Sequence, residues 1–162
     1  MDRLSESDRI QRLHDLGILD TPEDRLFSGF AQQALQLVPG ASIAAISLVD
    51  SDRQWFKASI GLNMRETPRK YSFCSHTIET DGVMVVEDAT QDSRFADNPL
   101  VTSFPGIRFY AGAKLVNGLG ALCVIGQRPR QATEGELAKL AKLAHCVDIQ
   151  LLAHGVLHNL VA

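Results

Sequence analysis

The sequence predicts an α+β protein in which helices pack against an antiparallel sheet. Apolar residues recur with helical periodicity near both ends of the chain, whereas the middle of the chain holds short β-branched and apolar runs. Two pairs of these runs are separated by short turns, which is typical of antiparallel hairpins. Helices, then strands, then a helix indicate one domain with helices layered on a sheet.

Residues 1–38 are predicted to form two helices. The first begins at Ser5, a residue that caps helices well, and ends at Asp15. The second is predicted to begin at Thr21, because a threonine cap is followed there by Pro22 and two acidic residues. The apolar face of the first helix consists of Ile10, Leu13 and Leu16.

Residues 41–127 are predicted to form the sheet and its loops. An Asp-Ser-Asp turn at 50–52 joins the first hairpin, and a run that begins at Val83 forms a further strand. The last hairpin is centred on Asn117-Gly118, a dipeptide that favours such turns. The sequence on either side of the Val83 strand is otherwise rich in Asp, Asn and aromatic residues, and structured sections of this kind are more often functional than not.

Residues 133–162 are predicted to form a long last helix, which Thr133 and Glu136 cap together. If the helix continues to Leu160 it is roughly 40 Å long, more than a small domain needs to cover its sheet. The alternative is that it ends near Gly155. Its apolar stripe contains Leu137, Leu140, Ala144, Val147 and Leu151, widened by Leu143 and Leu152.

The width of this stripe predicts a homodimer. One sheet face cannot cover leucines on both flanks of so long a helix, so some of them would stay exposed in a monomer. The apolar face of the first helix offers a matching surface, which predicts a parallel helical bundle about a two-fold axis. We therefore expect the terminal helices to form the dimer interface.

Composition and charge narrow the class of protein. The chain has 162 residues, of which 45% are hydrophobic and 22% are charged, as in soluble globular proteins. A net charge of -3 gives no reason to expect nucleic acid as a partner, and no apolar run has the length of a membrane span. The three scattered cysteines and the charged N-terminal residues predict a cytoplasmic protein with reduced thiols.

The segment "YSFCSHTI" places Cys74 and His76 two residues apart, as a nucleophile and its base, two metal ligands, or part of a pocket wall. Two positions apart on a helical turn, the side chains point to different faces, which disfavours a catalytic pair. A closed zinc site needs about four ligands, and no second Cys/His cluster lies nearby in the sequence. We expect a pocket wall and helix cap, with neither catalytic residues nor a metal.

Several ordered segments resemble the GAF domains that stand at the head of bacterial sensor histidine kinases and diguanylate cyclases. These segments are "GILDTPEDRLF", "AAISLVDSDRQWFKASIG", "ETPRKYSFCSHTI", "VVEDATQDSRFADNPLV", "IRFYAGAKL" and "LGALCVI". The resemblance covers most of the chain and identifies residues 1–162 as a single GAF domain. It implies about six antiparallel strands, helices on one face, a ligand-type pocket on the other, and terminal helices that dimerise.

The resemblance implies a cytoplasmic sensory or regulatory module, of the kind used in two-component and cyclic dinucleotide signalling. Such a module binds a small molecule and signals through its terminal helices to a downstream kinase or cyclase. The sequence identifies neither the ligand nor a cofactor. One GAF branch, the free methionine-sulfoxide reductases, carries its catalytic cysteine in a segment that reads "NPLVTSFPGIRFYAGA" here, without cysteine. We therefore expect no enzymatic activity.

Aromatic and polar residues of the loop-rich section are the candidate ligand-binding residues, because apolar walls with a few polar groups suit a small ligand. They are Phe73, Cys74, His76, Asp88, Arg94, Phe95, Phe104, Arg108 and Tyr110. The charged members have an alternative role, in which Asp88 caps a turn and Arg94 pairs with a neighbouring acid. The competing function is a ligand-free dimerisation or protein-interaction domain, whose cavity would be filled by Phe73, Phe104, Phe109 and Tyr110.

Overall fold

The computed structural model describes residues 3–161, which form five helices and six strands. The helices are α1 (Glu6–Asp15), α2 (Arg25–Leu37), α3 (Cys74–Thr77), α4 (Pro99–Thr102) and α5 (Glu134–Val161). The strands are β1 (Ile43–Val49), β2 (Arg53–Ile60), β3 (Glu66–Pro68), β4 (Val83–Val86), β5 (Phe109–Lys114) and β6 (Gly120–Gly126). The predicted segments 1–38 and 133–162 also include residues 1, 2 and 162, which lie outside the described range.

The six strands form one antiparallel sheet in the order β3-β2-β1-β6-β5-β4. Helices α1, α2 and α5 cover one face, and α3, α4 and their connecting loops cover the other. We call this second layer, residues 61–108 without β3 and β4, the cap. The predicted α+β, GAF-like antiparallel sheet is confirmed.

The central strand β1 is buried on both faces. Ala44, Ile46 and Leu48 pack with the helices, whereas Ile43 and Ala45 pack beneath the cap. A register irregularity after Ile46 lies in the pairing of β1 with β2. Burial on both sides explains why this run is apolar almost throughout instead of alternating with polar residues.

The predicted start of α2 is wrong by one turn. Asp24 caps the helix by accepting the backbone N–H of Leu26 at 2.8 Å. Thr21 instead holds the preceding loop: its hydroxyl donates to the carbonyl of Ile18 and lies 2.9 Å from the ammonium of Lys57. A side chain engaged by the sheet is not free to cap a helix, and local sequence signals do not report such a tertiary contact.

Two short elements between β2 and β5 were not predicted. The edge strand β3 is three residues long, and α4 is a single turn capped by Asn98. Elements this short have little periodicity for a sequence pattern to show.

The last helix is continuous through Gly155 to Val161, so the alternative of an early end is wrong. The predicted capping box is confirmed, because Thr133 and Glu136 exchange side-chain-to-backbone hydrogen bonds of 3.1 and 2.8 Å. The buried positions of α5 include Leu140, Leu143, Ala144, Val147 and Leu151.

The prediction that no apolar run is long enough to cross a membrane is wrong for α5. By length and composition alone this helix passes that test, although 33% of its most apolar 18-residue window is buried within the domain. A core helix of a folded domain has the same composition, so composition does not by itself indicate a membrane span.

Candidate functional site

A small cavity of about 30 Å³ lies between the sheet and the cap. Its floor comes from β1, β5 and β6. Its walls come from β2, β3, the start of α3, and the segments at residues 61–65 and 99–107, the second of which contains α4. The lining residues are Ile43, Ala45, Gln54, Phe56, Leu62, Met64, Thr67, Phe73, Cys74, Leu100, Pro105, Ile107, Tyr110, Cys123 and Ile125.

Aromatic side chains pack against one another where the cap meets the cavity. The rings of Phe73 and Phe95 stack with their centroids 3.9 Å apart, and Tyr110 tilts against Phe73 at 5.3 Å. All three side chains are almost completely buried. Stacked and tilted rings are favourable arrangements of aromatic side chains, so these contacts stabilise the wall.

Tyr110 ends in a buried cluster of hydroxyl and thiol groups. Its hydroxyl lies 2.7 Å from the hydroxyl of Thr77 and 3.2 Å from the thiol of Cys74. Burial raises the pKa of Tyr110 well above its usual range, and the Cys74 thiol together with burial raises the pKa of Cys123. Tyr110 and Cys123 are therefore neutral at physiological pH.

A second polar cluster centres on Gln54, which is 5% exposed. Its carbonyl oxygen accepts hydrogen bonds from Ser47 at 3.0 Å and from Ser72 at 2.6 Å. Its amide nitrogen donates to the hydroxyl of Thr67 at 3.1 Å. These bonds fix the amide with its nitrogen toward β3, and they tie α3's approach segment to the sheet.

No protein-family model matches the chain. A curated relative, the cyclic di-GMP phosphodiesterase PA2567 of Pseudomonas aeruginosa, is 44% identical over 147 residues. The matched region covers 88% of this chain and 25% of that relative, so the chain spans about a quarter of the relative's length.

Solved structures match nearly the whole chain. The GAF domain of an Acinetobacter phosphoenolpyruvate-protein phosphotransferase superposes with a TM-score of 0.67 at 15% identity, covering 96% of this chain and 99% of that one. The chain has the GAF fold. A free methionine-R-sulfoxide reductase from Neisseria meningitidis shares the fold, with a TM-score of 0.63, 19% identity and 95% of each chain covered.

The comparison with the phosphodiesterase contradicts the prediction of a protein without enzymatic activity. That prediction was argued from Cys74, His76 and a cysteine missing near α4. Those observations bear only on sulfoxide reduction by the residues of this chain. They carry no information about an enzyme of which such a domain forms one quarter.

Three of the predicted site residues, Phe73, Cys74 and Tyr110, line the cavity. Phe95 stacks directly behind Phe73 and supports the wall. His76 lies on the outer side of α3, edge-on to the Phe95 ring at 4.9 Å, where partial burial and the nearby Arg94 lower the pKa of its imidazole.

The other four predicted residues lie away from the cavity. Asp88 caps a turn by accepting the N–H of Thr90, and Arg94 pairs with Asp92 at 2.7 Å. Arg108 donates to backbone carbonyls, at 2.9 Å in the case of Val101. Phe104 is 67% exposed. Their part in ligand binding stays a prediction, but the alternative roles of Asp88 and Arg94 are those that the structure shows.

Sequence reasoning missed the Gln54 cluster. Gln54 is the second residue of β2 and pairs in register with Thr67, on the short strand β3 that the sequence did not reveal. A polar side chain inside a run that is otherwise buried indicates such a cluster, because a buried polar group needs a hydrogen-bonding partner. Ser47, fully buried in the centre of β1, carries the same signal.

Proposed function

We propose that the chain is the cytoplasmic regulatory domain of a cyclic di-GMP phosphodiesterase, and that it binds a small molecule between the sheet and the cap. The observation that carries the proposal is the cavity, where aromatic walls meet a fixed amide in the interior of the domain. Apolar enclosure with a few oriented polar groups is the usual form of a small-ligand site. The 44% identity to part of a phosphodiesterase supports the regulatory context.

A connected set of contacts leads from the cap to α5. Ile78, at the end of α3, lies close to Gly118 in the turn between β5 and β6. Val116, two residues earlier in that turn, is held by α5, since the carboxylate of Asp148 accepts its backbone N–H at 2.8 Å. We propose that displacement of α3 by a ligand moves this turn and thereby α5, a helix of 28 residues.

A thermal-shift screen of the whole chain with metabolite classes tests ligand binding. A ligand at a hundred times its dissociation constant should stabilise the domain by about 2.7 kcal/mol, which corresponds to several degrees. Ala45→Leu, which fills the cavity floor, should abolish the shift, whereas Leu26→Ala on the exposed side of α2 should not. If no compound class changes the melting temperature, small-molecule binding is the wrong proposal.

A ligand-free interaction domain is the second candidate, and the size of the cavity favours it. About 30 Å³ is the volume of one water molecule. Phe73 and Tyr110 point inward as this alternative requires, whereas Phe109 packs among the helices and Phe104 is exposed. In this case α5 pairs with a second copy whether or not any ligand is present, and the oligomeric state measures it directly.

A further inference from the structure

The cavity beneath the cap has a chemical selectivity of its own. The described residues that line it include no Asp, Glu, Lys, Arg or His, although charged side chains are plentiful in the cap around it. A charged group that enters such a space loses its water and gains no counter-ion, which is strongly unfavourable.

The ionisable side chains at the wall are the next groups that a ligand would meet. Cys74, Tyr110 and Cys123 are the lining residues with an acidic proton, and all three are buried. The Tyr110 hydroxyl is already paired with Thr77 and Cys74. It therefore holds the wall together and has little capacity left for a ligand.

Gln54 is different, because one of its hydrogen-bonding positions is open. Its oxygen accepts from two serine hydroxyls and its nitrogen donates one hydrogen to Thr67. The second hydrogen on that nitrogen has no assigned acceptor within residues 3–161. A buried amide hydrogen without an acceptor favours a ligand that supplies one.

The walls also indicate where a molecule enters. Leu62 and Met64 are half-buried in the loop between β2 and β3, where the carbonyl of Leu62 accepts from Ser59 and that of Arg65 accepts from the backbone of Phe56. The opposite wall is held more firmly, by two bonds to the carbonyl of Leu100 and others to Val101 and Pro105. We therefore expect the Leu62–Met64 loop to be the part of the wall that moves when a molecule enters.

We propose that the cavity accepts an uncharged, mostly apolar molecule with one hydrogen-bond acceptor for the Gln54 amide, and that it rejects nucleotides and other phosphate-bearing ligands. This inference rests on the proposed small-molecule binding and adds the class of ligand. The molecule enters past the Leu62–Met64 loop, since a cavity of about 30 Å³ holds one water until a wall moves.

Four probes of known chemistry separate the possibilities: acetophenone, which is neutral and has an acceptor; ethylbenzene, which lacks the acceptor; benzoate, which is charged; and cyclic di-GMP. Each is titrated into the isotope-labelled chain while the Gln54 side-chain amide and the Ala45 backbone amide are followed by NMR. Acetophenone should shift both signals and bind about fivefold more tightly than ethylbenzene, the effect of one hydrogen bond. Benzoate and cyclic di-GMP should leave both signals unchanged.

Met64→Ala provides the matched variant, because it enlarges the entrance on a loop that contributes little to the core. It should tighten acetophenone binding by about tenfold, since the probe then displaces less side-chain volume. Leu26→Ala, on the opposite side of the domain, should leave the affinity unchanged. Shifts at Gln54 and Ala45 caused by benzoate or cyclic di-GMP would overturn the ligand class and leave small-molecule binding intact. Acetophenone failing to shift them in Met64→Ala would also overturn it, and the metabolite screen then decides the proposed function separately.

Discussion

At the scale of single residues, a glycine matters as much to the packing around the cavity as the aromatic residues do. Gly112 lies in β5 two positions after Tyr110, on the same face of the sheet. A Cβ atom at Gly112 would meet the Tyr110 hydroxyl oxygen at 2.2 Å. That hydroxyl is held by Thr77 and Cys74, so the tyrosine has no free direction in which to move.

Gly112→Ala should therefore destabilise the protein by about 1–3 kcal/mol, as overpacking of a core does. Gly29→Ala is the matched control, because the space around Gly29 in α2 is empty within 4 Å. There alanine should stabilise by up to about 1 kcal/mol through its higher helix propensity. Urea unfolding of both variants measures the two effects. Equal stability of Gly112→Ala and the parent chain would mean that Tyr110 is not held as described.

Residue by residue, the sequence predicted the apolar part of the site better than the polar part. Phe73, Cys74 and Tyr110 were recognisable because aromatic and apolar residues of the loop-rich section and of the strand that follows it suit the wall of a small-ligand pocket. The polar partners of Gln54 come from three separate segments, at Ser47, Thr67 and Ser72. Their convergence depends on strand register and on a three-residue strand, and neither leaves a local pattern in the sequence.

At the scale of elements, α5 carries a carboxyl group whose charged form is disfavoured by burial. Asp148 accepts the N–H of Val116, and burial raises the pKa of its carboxyl group above the usual value. A raised pKa means that the folded state binds the proton more readily than the unfolded chain. The free energy of unfolding therefore falls as the pH rises from the ordinary value through the folded value.

Asp148→Asn keeps an oxygen acceptor for Val116 and removes the charge. It should be at least as stable as the parent chain at pH 7, and this advantage should disappear at pH 3, where the parent carboxyl is protonated in both states. Asp148→Ala removes the acceptor and should lose about 1 kcal/mol. Urea midpoints at the two pH values test this. An asparagine variant weaker than the alanine variant at pH 7 would show that the negative charge itself is required.

The first helix is attached to the cap and the sheet through Glu6 and Arg9. Glu6 accepts two hydrogen bonds from Arg9, at 2.9 and 3.0 Å, and one from Arg69 at 2.5 Å. Arg9, which is buried, also donates to the carbonyls of Val49 and Gly118. The hydrogen bonds from Arg9 lower the pKa of Glu6 to about 2.

A lowered pKa of an acid adds stability that is complete above its ordinary value of 4.5 and is lost as the pH falls toward about 2. Because the Glu6 side chain is half exposed, solvent screening limits the contribution to less than about 1 kcal/mol. Glu6→Gln should show this small deficit at pH 7 and none at pH 2. Urea unfolding across this range measures it, and a deficit that persists unchanged at pH 2 would assign the effect to packing instead of charge.

At the scale of the whole molecule, the amphipathic helices predicted the layer on one side of the sheet but misplaced the surface left for a partner. The predicted interface used Ile10, Leu13 and Leu16 of α1 with the α5 stripe. In the structure Leu13 is fully buried, and Leu16 packs against Gly155 of α5 in the same chain. Most of the predicted stripe on α5 is likewise internal core. A sequence pattern shows that a helix has an apolar face, but not which neighbour covers it.

The surface of α5 that remains open is a different stripe, which shares only Leu152 with the predicted one. Ile149, Leu152, Val156 and Leu160 are between 47% and 75% exposed, and they follow one another at intervals of three and four residues. This spacing places them along one side of the helix, as in a two-helix seam. The stripe continues beyond the core-facing residues of the same helix, so it is accessible to a second copy without any rearrangement of the domain.

We therefore predict a homodimer formed by α5 against α5, with Leu152 and Val156 at its centre. Burying an apolar side chain of this size contributes about 1.5–3 kcal/mol, and four from each copy support association in the micromolar range. The double variant Leu152→Glu/Val156→Glu should be monomeric, because charges would be buried without partners. Leu26→Glu, which changes an equally exposed leucine on α2, should remain a dimer. Sedimentation equilibrium distinguishes these outcomes, and an unaltered chain that sediments at 17.7 kDa at high concentration would exclude the dimer. Truncation of α5 is unsuitable as a test, because Val147 and Leu151 belong to the core of the domain and their loss would unfold it.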